Sequence, residues 1–78
     1  MNVVLYTATG CHLCEAVEAV IAHAQKHQKF HFFRRDISED AADFELYKHD
    51  IPVVLVDGVE VARHRLSARQ LKRALAGE

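Results

Sequence analysis

Two cysteines three residues apart form the pair of side chains in this sequence best suited to chemistry. Cys11 and Cys14 are the only cysteines among the 78 residues, and they follow an apolar run, Val3 to Tyr6. They stand where a strand would give way to a helix. A Cys-x-x-Cys in that context is typical of a redox dithiol, because the two thiols are close enough to join in a disulfide. The pattern therefore predicts thiol–disulfide exchange.

Their places in the predicted helix give the two thiols different roles. Cys11 falls at or just before the first turn, where unpaired backbone N–H groups and the helix dipole stabilise a thiolate. Free thiols ionise near pH ~8.5, whereas thiols at helix N-termini ionise between roughly 3.5 and 7.5. We therefore expect Cys11 to be the nucleophile and the more buried Cys14 to be the resolving thiol. His12 either favours the thiolate as an imidazolium or is an exposed turn residue, and both readings stay open.

Hydrophobic periodicity predicts the elements that position this dithiol. We expect a strand over 2–7, a helix over 11–27, a strand over 30–35 and then a short acidic helix with Ser38 as its N-cap. A helical crossover makes the two strands parallel neighbours. The buried stripe of the first helix is predicted to contain Leu13, Val17, Val20, Ile21 and Ala24.

The second half of the chain predicts a hairpin followed by a helix. Asp57-Gly58 joins strands over 53–56 and 59–63 in a type I′ turn, and Ser67 with Gln70 forms a capping box for the last helix. The resulting order is β-α-β-(α)-β-β-α. We therefore expect an α/β (α+β) fold with one mixed four-stranded sheet, in a single domain of residues 1–78.

Composition and charge argue against several classes of partner. The formal net charge is −1, which provides no basic surface for nucleic acid or an anionic membrane. The apolar runs are far shorter than the ~20 residues of a transmembrane helix, and the N-terminus has no secretory signal pattern. A disulfide between two cysteines this close would also stabilise the fold little, because a short loop constrains the unfolded chain little. These features predict a cytoplasmic monomer without nucleic-acid or membrane partners.

A zinc site is disfavoured by the geometry of a helix. Cys11, Cys14, His23 and His27 superficially match zinc-ligand spacing, but all four would lie on one continuous helix. At about 1.5 Å per residue, Cys14 and His23 would be roughly 13 Å apart along the axis. Zinc ligands lie within ~2.0–2.3 Å of one ion. We therefore expect no metal site, with His23 and His27 on the exposed helix surface.

The residues that carry these features resemble the thioredoxin fold and, within it, a family of small bacterial glutaredoxin-like proteins. The similar strings are Gly-Cys-His-Leu-Cys-Glu (10–15) and Ile-Pro-Val-Val-Leu-Val-Asp-Gly (51–58), and the resemblance covers essentially the whole chain. It implies a cis Pro52 beside the dithiol, with the backbone of Ile51 pairing with an extended substrate. Ile51, Pro52 and His12 are thus the candidate substrate-binding residues.

The same resemblance implies a function in cell redox homeostasis. The expected partners are disulfide-containing or glutathionylated proteins, with glutathione as a co-substrate and no tightly bound cofactor. The alternative is a non-catalytic binding module with a vestigial dithiol, such as an iron–sulfur cluster carrier or a protein-docking domain.

Three departures from the family pattern concern glutathione. Glutaredoxins that handle glutathione usually carry Pro-Tyr between the cysteines, where this chain has His12-Leu13. They carry a basic residue shortly before the first cysteine, where this chain has Thr-Ala-Thr-Gly (7–10). They also carry Gly-Gly and an acidic residue after the hairpin, where residues 61–67 read Val-Ala-Arg-His-Arg-Leu-Ser. Arg63 and Arg65 either replace the missing anchors or belong to a solvated rim.

Overall fold

The computed structural model describes residues 1–77, which form one mixed four-stranded sheet flanked by helices. In chain order the elements are β1 (Asn2–Thr7), α1 (His12–Gln25), β2 (His31–Asp36), a 3₁₀ helix (Ile37–Glu39), α2 (Ala41–Tyr47), β3 (Val53–Val56), β4 (Val59–Arg63) and α3 (Ala68–Leu75). The predicted α/β (α+β) class and element order are confirmed. Within residues 1–77, no helix is long and apolar enough to cross a membrane.

The sheet has the strand order β2-β1-β3-β4, so β1 and β3 are its central strands. β1 runs parallel to β2 and antiparallel to β3, and β3 runs antiparallel to β4. The parallel pair follows from the helical crossover through α1, because a tight turn cannot connect parallel strands. β1 therefore ends in the interior of the sheet, and the chain passes from there directly into the two cysteines.

The core lies on the face of the sheet that α1 and α3 cover. Alternate residues of the central strands point to that face, as the two-residue period of a strand requires. Helix residues at spacings of three, four and seven complete it. The buried cluster consists of Val3, Leu5, Val17, Ile21, Val54, Val56, Ala62, Leu66, Leu71 and Leu75. These contacts hold α1, and with it the dithiol, against the sheet.

The local signals of the second half are confirmed. Asp57 and Gly58 have φ angles of 48° and 83°, the positive values that a type I′ turn requires at both central positions. The capping box of α3 is complete: the Gln70 N–H donates to Ser67 Oγ at 3.0 Å, and the Ser67 N–H donates to Gln70 Oε1 at 2.9 Å. Each feature depends on residues close in sequence, which is why the sequence predicts it.

The predicted buried stripe of α1 is wrong at its first residue. Leu13 is 43% exposed, whereas Cys14, Val17 and Ile21 are buried. The buried face is therefore rotated around the helix towards Cys14, which occupies the first buried position, while Val17 and Ile21 are buried as predicted. Leu13 is left at the edge of a surface groove.

The capping residues before α2 also differ from the prediction. Ser38 is not an N-cap: it lies inside the 3₁₀ helix, and its N–H donates to the Asp36 carboxylate at 2.9 Å. α2 begins only after Asp40, whose carboxylate accepts the Asp43 N–H at 3.0 Å. Two aspartates thus cap two successive short helices where one longer helix is predicted. β2, at His31–Asp36, is displaced by one residue from its predicted range.

Candidate functional site

Cys11 is the N-cap residue of α1. Its backbone is extended (φ −91°, ψ 105°), and its Sγ atom accepts a hydrogen bond from the backbone N–H of Cys14 at 3.1 Å. Gly10, with φ +80°, turns the chain between the end of β1 and this position. The sulfur therefore lies where the first N–H groups of a helix lack intrahelical acceptors and favour negative charge.

Cys14 lies one turn into α1 and is 1% exposed, whereas Cys11 is half-buried. The two residues are joined by a disulfide bond, with their Cα atoms 5.2 Å apart. This separation falls in the usual range for a disulfide. Solvent therefore reaches Cys11 more readily than Cys14. The pair can therefore open and close as a dithiol in which only Cys11 is accessible to a substrate.

His12 extends into solvent between the two cysteines. Its side chain is 94% exposed, and its Nδ1 atom lies 3.5 Å from Oε1 of Glu15. The structure thus places the imidazole within reach of an incoming molecule and next to a carboxylate on the following turn. At this exposure the ion pair contributes little to stability.

Ile51 and Pro52 lie between α2 and β3, and the peptide bond that joins them is cis. Pro52 is buried, and its carbonyl oxygen accepts the N–H of His64 at 2.7 Å. The N–H of Ile51 donates to the carbonyl oxygen of Tyr47 at 3.2 Å. Among residues 1–77, no backbone N–H donates to the carbonyl oxygen of Ile51. That carbonyl therefore has no backbone donor among the described residues.

Tyr6 and Tyr47 are stacked, with ring centroids 4.3 Å apart. Burial, followed by the negative charge of Asp43, raises the pKa of Tyr6 above its ordinary value. The contact joins β1 to the end of α2, four residues before Ile51. The two rings therefore help to hold the Ile51–Pro52 segment against the sheet.

The two arginines after the hairpin have different environments. Arg63 ends β4 and forms ion pairs with Glu60 at 2.7 Å and Asp50 at 3.2 Å. Its hydrogen bonds hold the pKa of Glu60 below the ordinary value. His64 then has φ 71°, which ends the strand before Arg65. Arg65 forms no ion pair within residues 1–77, so it is the more available of the two for a bound anion.

The histidines of α1 lie on its surface. The rings of His23 and His27 are edge to face, with centroids 5.0 Å apart, and both side chains are exposed. In the part of the chain that the structure describes, no three His, Cys, Asp or Glu residues are grouped so that they could hold a metal ion.

A groove between α1 and α3 is a feature that the sequence reasoning missed. Near the dithiol it has a volume of about 340 Å³, and its lining includes Leu13, Val20, Arg65 and Gln70. The signal that could have revealed it is the spacing of Leu13, Ala16, Val20 and Ala24, which forms a second apolar stripe beside the buried one.

Comparison with known proteins agrees with this geometry. The family model described as "Glutaredoxin-like domain (DUF836)" matches residues 2–76. The chain belongs to the glutaredoxin-like family. A search of curated proteins found no match. For this glutaredoxin-like chain, membership of the family together with a Cys11–Cys14 pair at disulfide distance supports a redox-type function.

Solved structures share the fold. The glutaredoxin-like chain is 28% identical to protein XcR50 of X. campestris, with 97% of each chain covered and a TM-score of 0.79. It is 25% identical to protein Ne2328 of Nitrosomonas europaea, with 94% of this chain and 88% of that chain covered and a TM-score of 0.79. A mutant thioredoxin from Halobacterium salinarum NRC-1 is 20% identical over 97% of this chain and 72% of its own, with a TM-score of 0.70. The last similarity shows the thioredoxin fold alone.

Proposed function

We propose that this protein is a thiol–disulfide oxidoreductase that acts on protein disulfides and glutathione mixed disulfides. The observation that carries the proposal is the asymmetry of the dithiol: Cys11 caps a helix and is reachable, while Cys14 is 1% exposed and 5.2 Å away between Cα atoms. A reachable thiol with a stabilised thiolate is a nucleophile, and a buried neighbour is suited to resolve the intermediate.

The reaction takes place in two exchanges. The Cys11 thiolate attacks one sulfur of the substrate disulfide, a Cys11–substrate disulfide forms, and the other substrate sulfur leaves as a thiolate that takes a proton from solvent. Cys14 then loses its proton and attacks Sγ of Cys11, which releases the second substrate thiolate. The substrate gains two electrons, and the protein is left as the Cys11–Cys14 disulfide. Two molecules of glutathione, or a dithiol reductant of the thioredoxin class, return the two electrons.

Ile51, Pro52 and His12 form the surface on which the substrate segment rests in this proposal. Support comes from the carbonyl oxygen of Ile51, which accepts no backbone hydrogen bond within residues 1–77, and from the 94% exposure of the His12 side chain. The family resemblance implies that this acceptor lies beside the dithiol, and a backbone acceptor suits partners with many different side chains. Glutathione is the proposed co-substrate, and disulfide-containing or glutathionylated proteins are the proposed partners.

The protein is proposed to work in the bacterial cytoplasm, as a monomer, in cell redox homeostasis. Support comes from the chemistry of that compartment: disulfides of cytoplasmic proteins are mostly transient and catalytic, and its thiol pools can keep a dithiol reduced.

Turnover of a glutathionylated peptide tests this function. The reduced protein is supplied with glutathione, glutathione reductase and NADPH, and Cys11→Ser is the control. We expect NADPH oxidation that requires the peptide and Cys11. A parallel assay replaces glutathione with a thioredoxin, its reductase and NADPH, which identifies the electron donor. Absence of Cys11-dependent turnover with both donors would contradict the proposal and leave a binding module with a vestigial dithiol.

A further inference from the structure

The groove between α1 and α3 begins at Leu13, which lies between the two cysteines in the sequence, and continues along α1. Its first part, of about 340 Å³, lies between Leu13 of α1 and Gln70 of α3. Its second part, of about 330 Å³, lies between Ala24 of α1 and Lys72 of α3. Val20 lines both parts, so the two parts adjoin at this residue. A substrate segment that leaves the dithiol can therefore follow the helix along this groove.

The acidic side chains of α1 lie away from the groove. At about 100° per residue, Glu15 and Glu18 are about 140–160° around the helix from Leu13 and Val20. Glu18 is engaged on the far side, where its carboxylate pairs with Arg34 of β2 at 3.0 Å. The α1 wall of the groove consequently carries no carboxylate: it is apolar in the first part, and His23 and His27 join Val20 and Ala24 in the second.

The charges that do line the groove are positive. Arg65 lies in its first part and Lys72 in its second, and among the described residues no Asp or Glu lines either part. Within residues 1–77 neither cation forms an ion pair, in contrast to Arg63 and Arg34. Residues 61–77 contain five Lys or Arg and no Asp or Glu. An apolar groove with an unneutralised cation in each part is complementary to a segment that is apolar and acidic.

We propose that this groove holds an acidic, extended segment of the substrate protein that flanks the attacked cysteine. This names the substrate class of the proposed oxidoreductase and rests on that function. From Leu13 to Gln25, the last residue of α1, the helix rises about 18 Å, which about six extended residues span. Carboxylates at both ends of such a segment would meet Arg65 and Lys72, with an apolar side chain over Val20 between them. Complementary charge of this kind acts mainly on the rate of association.

Peptide disulfides of matched sequence test the inference. Each peptide has one cysteine joined to thionitrobenzoate and a six-residue flank with either two Glu or two Gln, placed C-terminal to the cysteine in one series and N-terminal in the other. The Cys11 thiolate attacks the peptide sulfur, and coloured thionitrobenzoate leaves. In at least one series we expect the Glu peptide to react about tenfold faster than the matched Gln peptide at low ionic strength. Added salt should reduce this preference.

Two double variants of equal charge change locate the effect. R65Q/K72Q removes the cations of the groove and should bring the Glu and Gln peptides to nearly equal rates. K26Q/K29Q removes two exposed cations that do not line the groove, and it should retain the preference. Both variants change exposed side chains, so loss of the fold is not expected in either.

Four results would overturn the inference. The first is that the wild-type protein reacts equally fast with the Glu and Gln peptides in both series, and the second is that its preference for the Glu peptide survives in R65Q/K72Q. The third is that K26Q/K29Q loses this preference as fully as R65Q/K72Q does. The last is that R65Q/K72Q slows the reaction with glutathione disulfide as much as it slows the reaction with the Glu peptide. The last would mean that the groove holds a tripeptide rather than a protein segment. Failure of every peptide to release thionitrobenzoate in a Cys11-dependent way would instead refute the proposed oxidoreductase, so the two failures are distinguishable.

Discussion

The backbone N–H of Cys14 donates a hydrogen bond to the Sγ atom of Cys11 across 3.1 Å. The nucleophile proposed for the reaction and its resolving partner are therefore connected through the first turn of α1 as well as through their disulfide. A donor directed at sulfur favours the thiolate over the thiol, because the charged form is the stronger acceptor. The same turn that brings the two thiols together also stabilises the charge that the reaction needs.

This relationship predicts a lowered pKa for the Cys11 thiol in the reduced protein. We expect Cys11, measured in Cys14→Ser, to ionise well below the ordinary ~8.5 of a free thiol. Cys14, measured in Cys11→Ser, should ionise at or above that value because burial disfavours the thiolate. Thiolate ultraviolet absorbance against pH measures both. An ordinary pKa for Cys11 would contradict the proposed nucleophile and favour the binding module.

We expect position 10 to need glycine because of its backbone conformation, and not because a side chain would clash there. Its φ is +80°, and a Cβ atom placed there would have no neighbour within 4 Å. Gly10→Ala should therefore lower the free energy of unfolding by about 1–2 kcal/mol, the cost of a left-handed L-residue. Gly10→Asn should lose less, since Asn tolerates this region. Urea unfolding measures the stability of both variants. An unchanged midpoint in Gly10→Ala would refute the claim that the positive φ at position 10 needs glycine.

The capping box predicts a specific pattern at Ser67. Ser67→Ala removes the oxygen that accepts the Gln70 N–H at 3.0 Å, and it should destabilise the protein by about 1 kcal/mol. Ser67→Asp supplies another good cap and should stay close to the wild type. Thermal unfolding of the two variants side by side gives the comparison. An equal loss in both would mean that the hydroxyl acts through something other than the cap.

Two carboxylates predict a loss of stability in acid. Hydrogen bonds from Ser38 hold the pKa of Asp36 below its ordinary 3.8, and those from Arg63 hold the pKa of Glu60 below its ordinary 4.5. Because both pKa values are lower in the folded state, the stabilisation is present above the ordinary values and is lost as the pH falls below them. Urea midpoints should therefore fall as the pH is lowered from about 5 to about 2.5.

Variants identify the source of this acid dependence. Ser38→Ala removes the hydroxyl that donates to Asp36, leaving the backbone N–H in place, and Arg63→Gln removes the guanidinium that donates to Glu60. The combined variant should therefore show a shallower decline in acid than the wild type. K26Q/K29Q, which leaves both carboxylates bonded, serves as the control. A decline as steep in the combined variant as in the wild type would assign the acid sensitivity to other carboxylates.

The sequence predicted the features that depend on neighbouring residues. The junction at Cys11, the turn at Asp57-Gly58 and the capping box at Ser67 are each encoded within a few positions, and all three lie where they were predicted. The errors came where tertiary contacts decide. Leu13 has the right spacing for the core, but the way α1 packs on the sheet buries Cys14 in its place.

Competing caps and distant partners account for the other differences. Ser38 and Asp40 are both good N-caps, and only the path of the chain after β2 selects the second. Asp50 and Arg63 are far apart in sequence, so their ion pair could not be read from local spacing. The α1–α3 groove likewise needs two helices side by side, and periodicity along one helix does not reveal what its neighbour leaves uncovered.

Trapping of the mixed disulfide tests the central claim most directly. Reduced Cys14→Ser and Cys11→Ser are each mixed with the same glutathionylated peptide, and the intact masses are recorded without reductant. We predict that Cys14→Ser retains a covalent adduct, because its Cys11 attacks and nothing resolves the product, while Cys11→Ser stays unmodified. Equal adducts on both variants, or adducts on Cys11→Ser alone, would contradict the assignment of Cys11 as nucleophile and Cys14 as resolving thiol.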